Sequence, residues 1–161
     1  SPDGVKLINV NSADEMYKNT VENLPVDVAI FAAAVADFKT KVVDFNKIKK
    51  KNFENLEIEK TKDILDYASK HNSLRPKLVI GFAAETENLV ENSKKKLIEK
   101  NCDWIVGNDV SNKNIGFDSE YNEVKIFQKN TKNIESISFN TKEMIAKTLV
   151  EKISNELKAN G

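Results

Sequence analysis

Residues 77–86 read KLVIGFAAET, and the run from Leu78 to Ala84 decides the fold class. It has no polar side chain and no alternation of polar with apolar residues. A strand of this kind shows neither face to water, which is the situation inside a parallel sheet covered by helices on both sides. Glu85 and Thr86 then mark the carboxyl end of the strand, where open α/β sheets bind their ligands.

Two further stretches repeat the pattern. VDVAIF at 26–31 runs into AAAVADF at 32–38, and CDWIVGND at 102–109 ends in polar residues. Between them TKDILDYASK, 61–70, offers Thr61 as a cap and places Ile64, Leu65 and Ala68 on one helical face. Residues 87–100 form a second long helix. Upstream, VKLINV at 5–10 alternates as a strand, and Ser12 with Glu15 three residues later makes a capping box for a helix reaching about Glu22. NLEIEK at 55–60 is a short strand. Downstream, EVKIFQ at 123–128 and IESISF at 134–139 form a hairpin, and residues 140–157 make a closing amphipathic helix. The expectation is a single α/β domain over residues 1–161: a three-layer Rossmann-like sheet, mostly parallel, with a C-terminal antiparallel hairpin and closing helix.

Composition narrows the function. A chain of 161 residues that is 40% hydrophobic fits one domain with a real core. Lys+Arg and Asp+Glu both total 25. That balance removes the broad attraction on which general binding to nucleic acid or anionic membrane relies, so neither partner is expected. The single cysteine, Cys102, cannot form an intramolecular disulfide, and no apolar run approaches the roughly 20 residues of a membrane span. A cytoplasmic location is expected. The opening SPDGVKLINV has no leader pattern and reads as a start in mid-domain.

The three strand ends AAAVADF, GFAAET and GNDV combine small residues with acids or amides. Small residues let a ligand approach the backbone, and a following acid can bind a ribose hydroxyl or help hold a metal bound to phosphate. The alternative is that the alanines serve close helix packing and that Asp37, Glu85 and Asp109 cap helices. NKIKKKN at 46–52 brings Lys47, Lys49, Lys50 and Lys51 together, which suits a polyphosphate or a solvated loop. Neither a P-loop nor a Gly-x-Gly-x-x-Gly motif is present.

In the helix over 87–100, Val90, Ser93 and Leu97 mark the inner face, with Lys96 and Lys100 together on one shoulder. Of the acids on that helix, only Glu99 is near enough to relieve Lys96. Either an anion lies beside that shoulder or the two lysines snorkel past the core edge. Phe82 is either core or a face on which a base stacks. His71 in its polar turn has no second ligand nearby, and Cys102 and Trp104 read as packing.

Taken in order, AAVADF, KIKK, KDIL, GFAAET, a lysine-bearing helix, KNCDWIVGNDV and GFDSEYNEV resemble the ligase part of the bacterial bifunctional coenzyme A enzyme, phosphopantothenoylcysteine synthetase. The resemblance runs from about Val5 to the last helix. It implies CTP as a substrate with Mg²⁺, and 4'-phosphopantothenate and L-cysteine as the molecules joined through an acyl-cytidylate. CTP contacts are implied at Asp37, Lys47, Lys62, Asp63, Ile64, Leu65, Phe82, Lys96 and Lys100. Ala33 falls on a position important for activity, and Lys47 would stabilise charge on the reacting phosphates. A homodimer is also implied. The family's opening strand and glycine-containing turn do not occur here, nor does the decarboxylase half with its FMN. The chain is therefore expected to carry most of the CTP pocket without completing the ligation alone. Two other readings, a dinucleotide oxidoreductase and an RNA-holding module, lack respectively a phosphate fingerprint and a basic charge balance.

Overall fold

In the computed structural model, which describes residues 3–41, 55–111 and 119–159, Ile80 stands between two parallel neighbours. Its partner on one side is Ile30 and on the other Trp104. Three strands follow from this: β1 (Val28–Phe31), β4 (Leu78–Glu85) and β5 (Trp104–Asp109). The hairpin strands β6 (Tyr121–Gln128) and β7 (Ile134–Thr141) extend the sheet antiparallel beyond β5. The order is β1-β4-β5-β6-β7. The sheet is thus mixed, parallel in its first half and antiparallel in its second, and β4 is buried on both faces as its sequence requires.

Alternate residues of the sheet enter two cores. Leu78, Ile80, Trp104, Val106, Val124 and Ile126 pack under α4 (Lys142–Ala159), which contributes Ile145, Leu149 and Ile153. Val79, Ala83, Ile105 and Phe127 face the other way, with Cys102 and with Leu97 of α3 (Leu89–Glu99). Helix α2 (Ile64–Lys70) buries Ile64 and Ala68 on this second side, and α1 (Ala13–Glu22) packs on α2. Trp104 and Cys102 are core, as expected, and burial pushes the Cys102 thiol up to about 11, with Asp103 adding to the effect.

Three local expectations change, and one strand is added. Residues 5–10 form no strand; they are mostly exposed, with Leu7 at 63%, and pair with no described strand. Alternation predicts a strand only where a neighbour supplies the ladder. Residues 38–40, to which the sequence pattern assigns no element, form β2 (Phe38–Thr40), which pairs antiparallel with β3 (Ile58–Lys60) in a separate two-stranded ribbon. Thr61 does not cap α2. Its N–H is committed to the Asp37 carbonyl at 2.9 Å and its hydroxyl to the Ala36 carbonyl at 2.5 Å, so the helix starts later and Asp63 accepts from Asp66 N–H. Finally, Val90 is exposed. Helix α3 begins after Asn88 in a left-handed conformation (φ 52°), which turns Leu89 rather than Val90 toward the sheet.

The α1 cap forms with a shift of one residue in its return bond: the Ser12 hydroxyl accepts from Glu15 N–H, and the Glu15 carboxylate accepts from Asn11 N–H at 2.7 Å rather than from that of Ser12. Arg75 and Asp103 tie the second layer to the sheet. The guanidinium grips both Asp103 oxygens at 3.0 and 2.9 Å and also donates to the carbonyls of Ser69, Pro76 and Asn101. Asp103 in turn accepts from Val79 N–H at 2.7 Å.

Candidate functional site

The carboxyl end of β1 opens into a cavity of about 590 Å³. Its floor comes from β1 and the alanine-rich residues after it, its walls from α1, from the start of α2 and from one shoulder of α3. Ala33, Asp37, Lys62, Asp63, Ile64, Leu65, Phe82, Lys96 and Lys100 all line it. These nine come from four separate stretches of sequence. Lys47, with Lys49, Lys50 and Lys51, lies outside the described residues.

Ala32, Ala33, Ala34 and Ala36 are exposed. Their methyl groups therefore do not serve helix packing; they leave backbone accessible along one wall. Asp37 caps no helix, because β2 follows it directly. Glu85 accepts from the Asn92 amide at 2.7 Å, and Asp109 accepts from both the N–H and the hydroxyl of Ser111. Those two bonds hold the Asp109 carboxyl below its ordinary value. None of the three acids is the helix cap that the packing alternative required.

The two lysines are held differently. Lys96 Nζ donates to the carbonyl of Phe82, another lining residue, at 2.8 Å, while the Phe82 side chain packs against the core under α4. Lys100 Nζ donates to Asp63 at 2.7 Å and lies 3.7 Å from Asp66. Glu99, expected to relieve Lys96, pairs with Lys95 instead. Burial works against the Asp63 carboxylate, yet the Lys100 ammonium and the Asp66 N–H hold it below its ordinary value. The hydrogen bond to Asp63 raises Lys100 correspondingly, against its partial burial. Lys62 Nζ rests 4.4 Å from the centre of the Tyr17 ring, a cation–π contact at the cavity wall.

The cavity is therefore lined by three lysines, two aspartates, two phenylalanines and accessible backbone. This set suits a ligand that combines phosphates with a planar base. Sequence reasoning missed the α1 contribution, chiefly Met16, Thr20 and Asn23, together with Thr61 from the ribbon. Helical periodicity of α1 signals a packed face, but nothing local shows that part of that face overlooks a cavity. His71 plays no part in the cavity: its Nδ1 accepts from Leu74 N–H at 3.0 Å and closes α2. Among the described residues no group of three or more His, Cys, Asp or Glu gathers as a metal cluster, and no helix is long and apolar enough to cross a membrane.

The mixed sheet with helices on both faces defines an α/β domain, and its cavity lies at the carboxyl end of β1, where open α/β sheets bind ligands. Comparison with known proteins makes it particular. Residues 1–157 match the family described as "DNA/pantothenate metabolism flavoprotein C-terminal domain", and the chain belongs to that family. It is similar to the coenzyme A biosynthesis bifunctional protein CoaBC of Borreliella burgdorferi, 37% identical over 154 residues, 93% of this chain and 38% of that protein. It is also similar to a cysteine/cysteine sulfinic acid decarboxylase from an unspecified prokaryote, 36% identical over 155 residues, 95% of this chain and 43% of that protein. The chain thus spans less than half the length of these relatives. Among solved structures, the C-terminal domain of a CoaBC protein superposes with a TM-score of 0.75 at 32% identity, over 98% of this chain and 69% of that one.

Proposed function

We propose that this chain carries the nucleotide pocket of a phosphopantothenate–cysteine ligase acting in coenzyme A biosynthesis. One observation supports this most: nine residues to which the family resemblance assigns a role line a single cavity. Family membership and the CoaBC relatives support the same reading.

In this reading the carboxylate of 4'-phosphopantothenate attacks the α-phosphate of CTP, and pyrophosphate leaves. The amine of L-cysteine then attacks the acyl carbon of the acyl-cytidylate, loses a proton and expels CMP, which leaves the amide 4'-phosphopantothenoylcysteine. Activation is needed because a free carboxylate is a poor acyl donor. Lys96 and Lys100 offset phosphate charge from the α3 shoulder, and Lys47 does so from the lysine stretch. Phe82, to which the resemblance assigns a CTP contact, positions Lys96 through its carbonyl. Ala33 leaves backbone open beside the reacting carboxyl.

Mg²⁺ keeps several waters and binds through one or two carboxylates together with substrate phosphates. Asp37 and Asp63, both lining the cavity, fit that donor set. When bound, the ion supplies charge neutralisation on the triphosphate. A cytoplasmic homodimer completes the reading. The ribbon leaves Phe38 and Ile58 more than half exposed, an apolar face that supports self-association. Residues 1–161 act in it as one domain. The outer edge of β1, where Ile30 is half exposed in an apolar strand, supports the expectation that ligation requires a further strand beside it.

The test is release of pyrophosphate and CMP from CTP in the presence of 4'-phosphopantothenate and cysteine. Turnover is expected once the chain is fused to the preceding part of the C-terminal domain of a CoaBC relative, and not from the chain as it stands. Failure of the fusion to use CTP contradicts the assignment. Full ligation by the chain alone contradicts the expected incompleteness.

A further inference from the structure

A second concavity, of about 360 Å³, lies on a different face of α3 from the cavity described above, between that helix and the turn joining β6 to β7. Leu97 and Phe127, both core residues, form its floor with Ile134, and Ile98 stands 79% exposed at its rim. Lys94 reaches it from α3, and Lys129 and Lys132 reach it from the turn. None of its lining residues is acidic. This matters in a chain with equal numbers of acidic and basic residues.

Two acids adjacent in sequence to the lining residues are committed elsewhere. Glu99 pairs with Lys95, and Glu135 pairs with Lys152. Lys129 Nζ donates to Asn101 Oδ1 at 2.7 Å, a neutral acceptor that leaves its charge uncompensated. Among the described residues neither Lys94 nor Lys132 forms an ion pair. The turn itself is braced: Lys129 N–H donates to the Asp103 carbonyl at 2.9 Å, and Asn133 N–H to the Thr131 hydroxyl at 3.1 Å. The Asp103 link ties the cleft to the node held by Arg75, so the concavity is preformed.

The floor favours hydrocarbon and the rim favours a negative charge. Inorganic phosphate would satisfy only the rim, and a neutral alcohol only the floor. We propose that this cleft binds a small amphipathic organic anion, a carboxylate on an unbranched apolar chain, independently of the nucleotide cavity. Its volume lies within the usual range for small-molecule pockets, about 300–1,000 Å³.

Titration of the ¹⁵N-labelled chain with octanoate, followed by amide shifts, tests this. Saturable shifts are expected at Lys94, Ile98 and residues 131–134, with little change at Ala33 or Phe82. Octanoate should bind about 15-fold tighter than hexanoate, since each buried methylene contributes about 0.8 kcal/mol. Octanol and phosphate should each produce far weaker shifts. Lys94→Glu with Lys132→Glu should abolish saturation while leaving the rest of the spectrum intact, and the milder Lys94→Gln with Lys132→Gln should weaken it. Shifts that do not saturate, that centre on the nucleotide cavity, or that survive charge reversal overturn the proposal.

Discussion

Lys100 Nζ lies 2.7 Å from Asp63 Oδ2, while Asp63 Oδ1 accepts from Asp66 N–H at 2.8 Å. One carboxylate thus caps α2 and holds a cavity lysine that is 37 residues away in sequence. Any anion that takes Lys100 must compete with Asp63 for it. The cap fixes where that competitor stands.

The pair makes stability depend on pH at both ends of the scale. Asp63 is lowered from 3.8, so its contribution is present above that value and is lost as pH falls through the lower folded value. Lys100 is raised from 10.5, so its contribution is full below that value and is lost as pH rises through the higher folded value. Asp63→Asn keeps a cap acceptor and removes the charge. Urea denaturation should show this variant less stable than the parent at neutral pH, with the gap closing in strong acid. In Lys100→Ala, carboxyl ¹³C titration should place Asp63 higher than in the parent. A gap that does not change with pH would show that the pair contributes nothing.

Helix α3 approaches β5 at Gly107. A Cβ there would meet Ser93 Oγ at 2.6 Å and Leu89 Cδ1 at 2.9 Å. Gly107→Ala should therefore cost about 1–3 kcal/mol by overpacking. The Ser93 hydroxyl is buried without a partner among the described residues, so Ser93→Ala should not lower stability. Denaturant midpoints of the two variants decide both points.

Two ion pairs of similar length should behave differently. Arg75 and Asp103 are about three-quarters buried and share their hydrogen bonds with four backbone groups. Arg75→Ala removes a donor from the Pro76 and Asn101 carbonyls and leaves Asp103 without its counter-charge, and should cost about 2 kcal/mol or more. Lys77 and Asp27, 2.7 Å apart, stand in solvent, and Lys77→Ala should leave the thermal midpoint unchanged. Equal losses in the two variants would contradict the role given to the Arg75 node.

Much of this fold was legible because burial writes itself into β4 and β5 as unbroken apolar runs and into α4 as a periodic face. The strand expected at residues 5–10 was not legible as a loop, because alternation reports a face and says nothing about whether a neighbour supplies hydrogen bonds. Thr61 and Asp63 are both acceptable caps by type, with Asp the better. What separates them is the bond from Thr61 N–H to the Asp37 carbonyl, a contact across 24 residues that local sequence does not carry. The cavity was legible at Asp37, Phe82, Lys96 and Lys100, where strand ends and a helical shoulder place residues by simple geometry. The contribution from α1 and the Asp63–Lys100 bond depend on how separate elements dock, and no periodicity reports that.

The central claim is that the cavity holds CTP, and calorimetric titration of this chain with CTP and Mg²⁺ tests it most directly. ATP and NADP serve as competitors, and Lys96→Ala, Lys100→Ala and Phe82→Ala as variants. The account predicts one saturable CTP site, preferred over both competitors and strongly weakened in each lysine variant. A folded chain that binds no nucleotide, or that binds all three alike with no effect of the lysines, contradicts it.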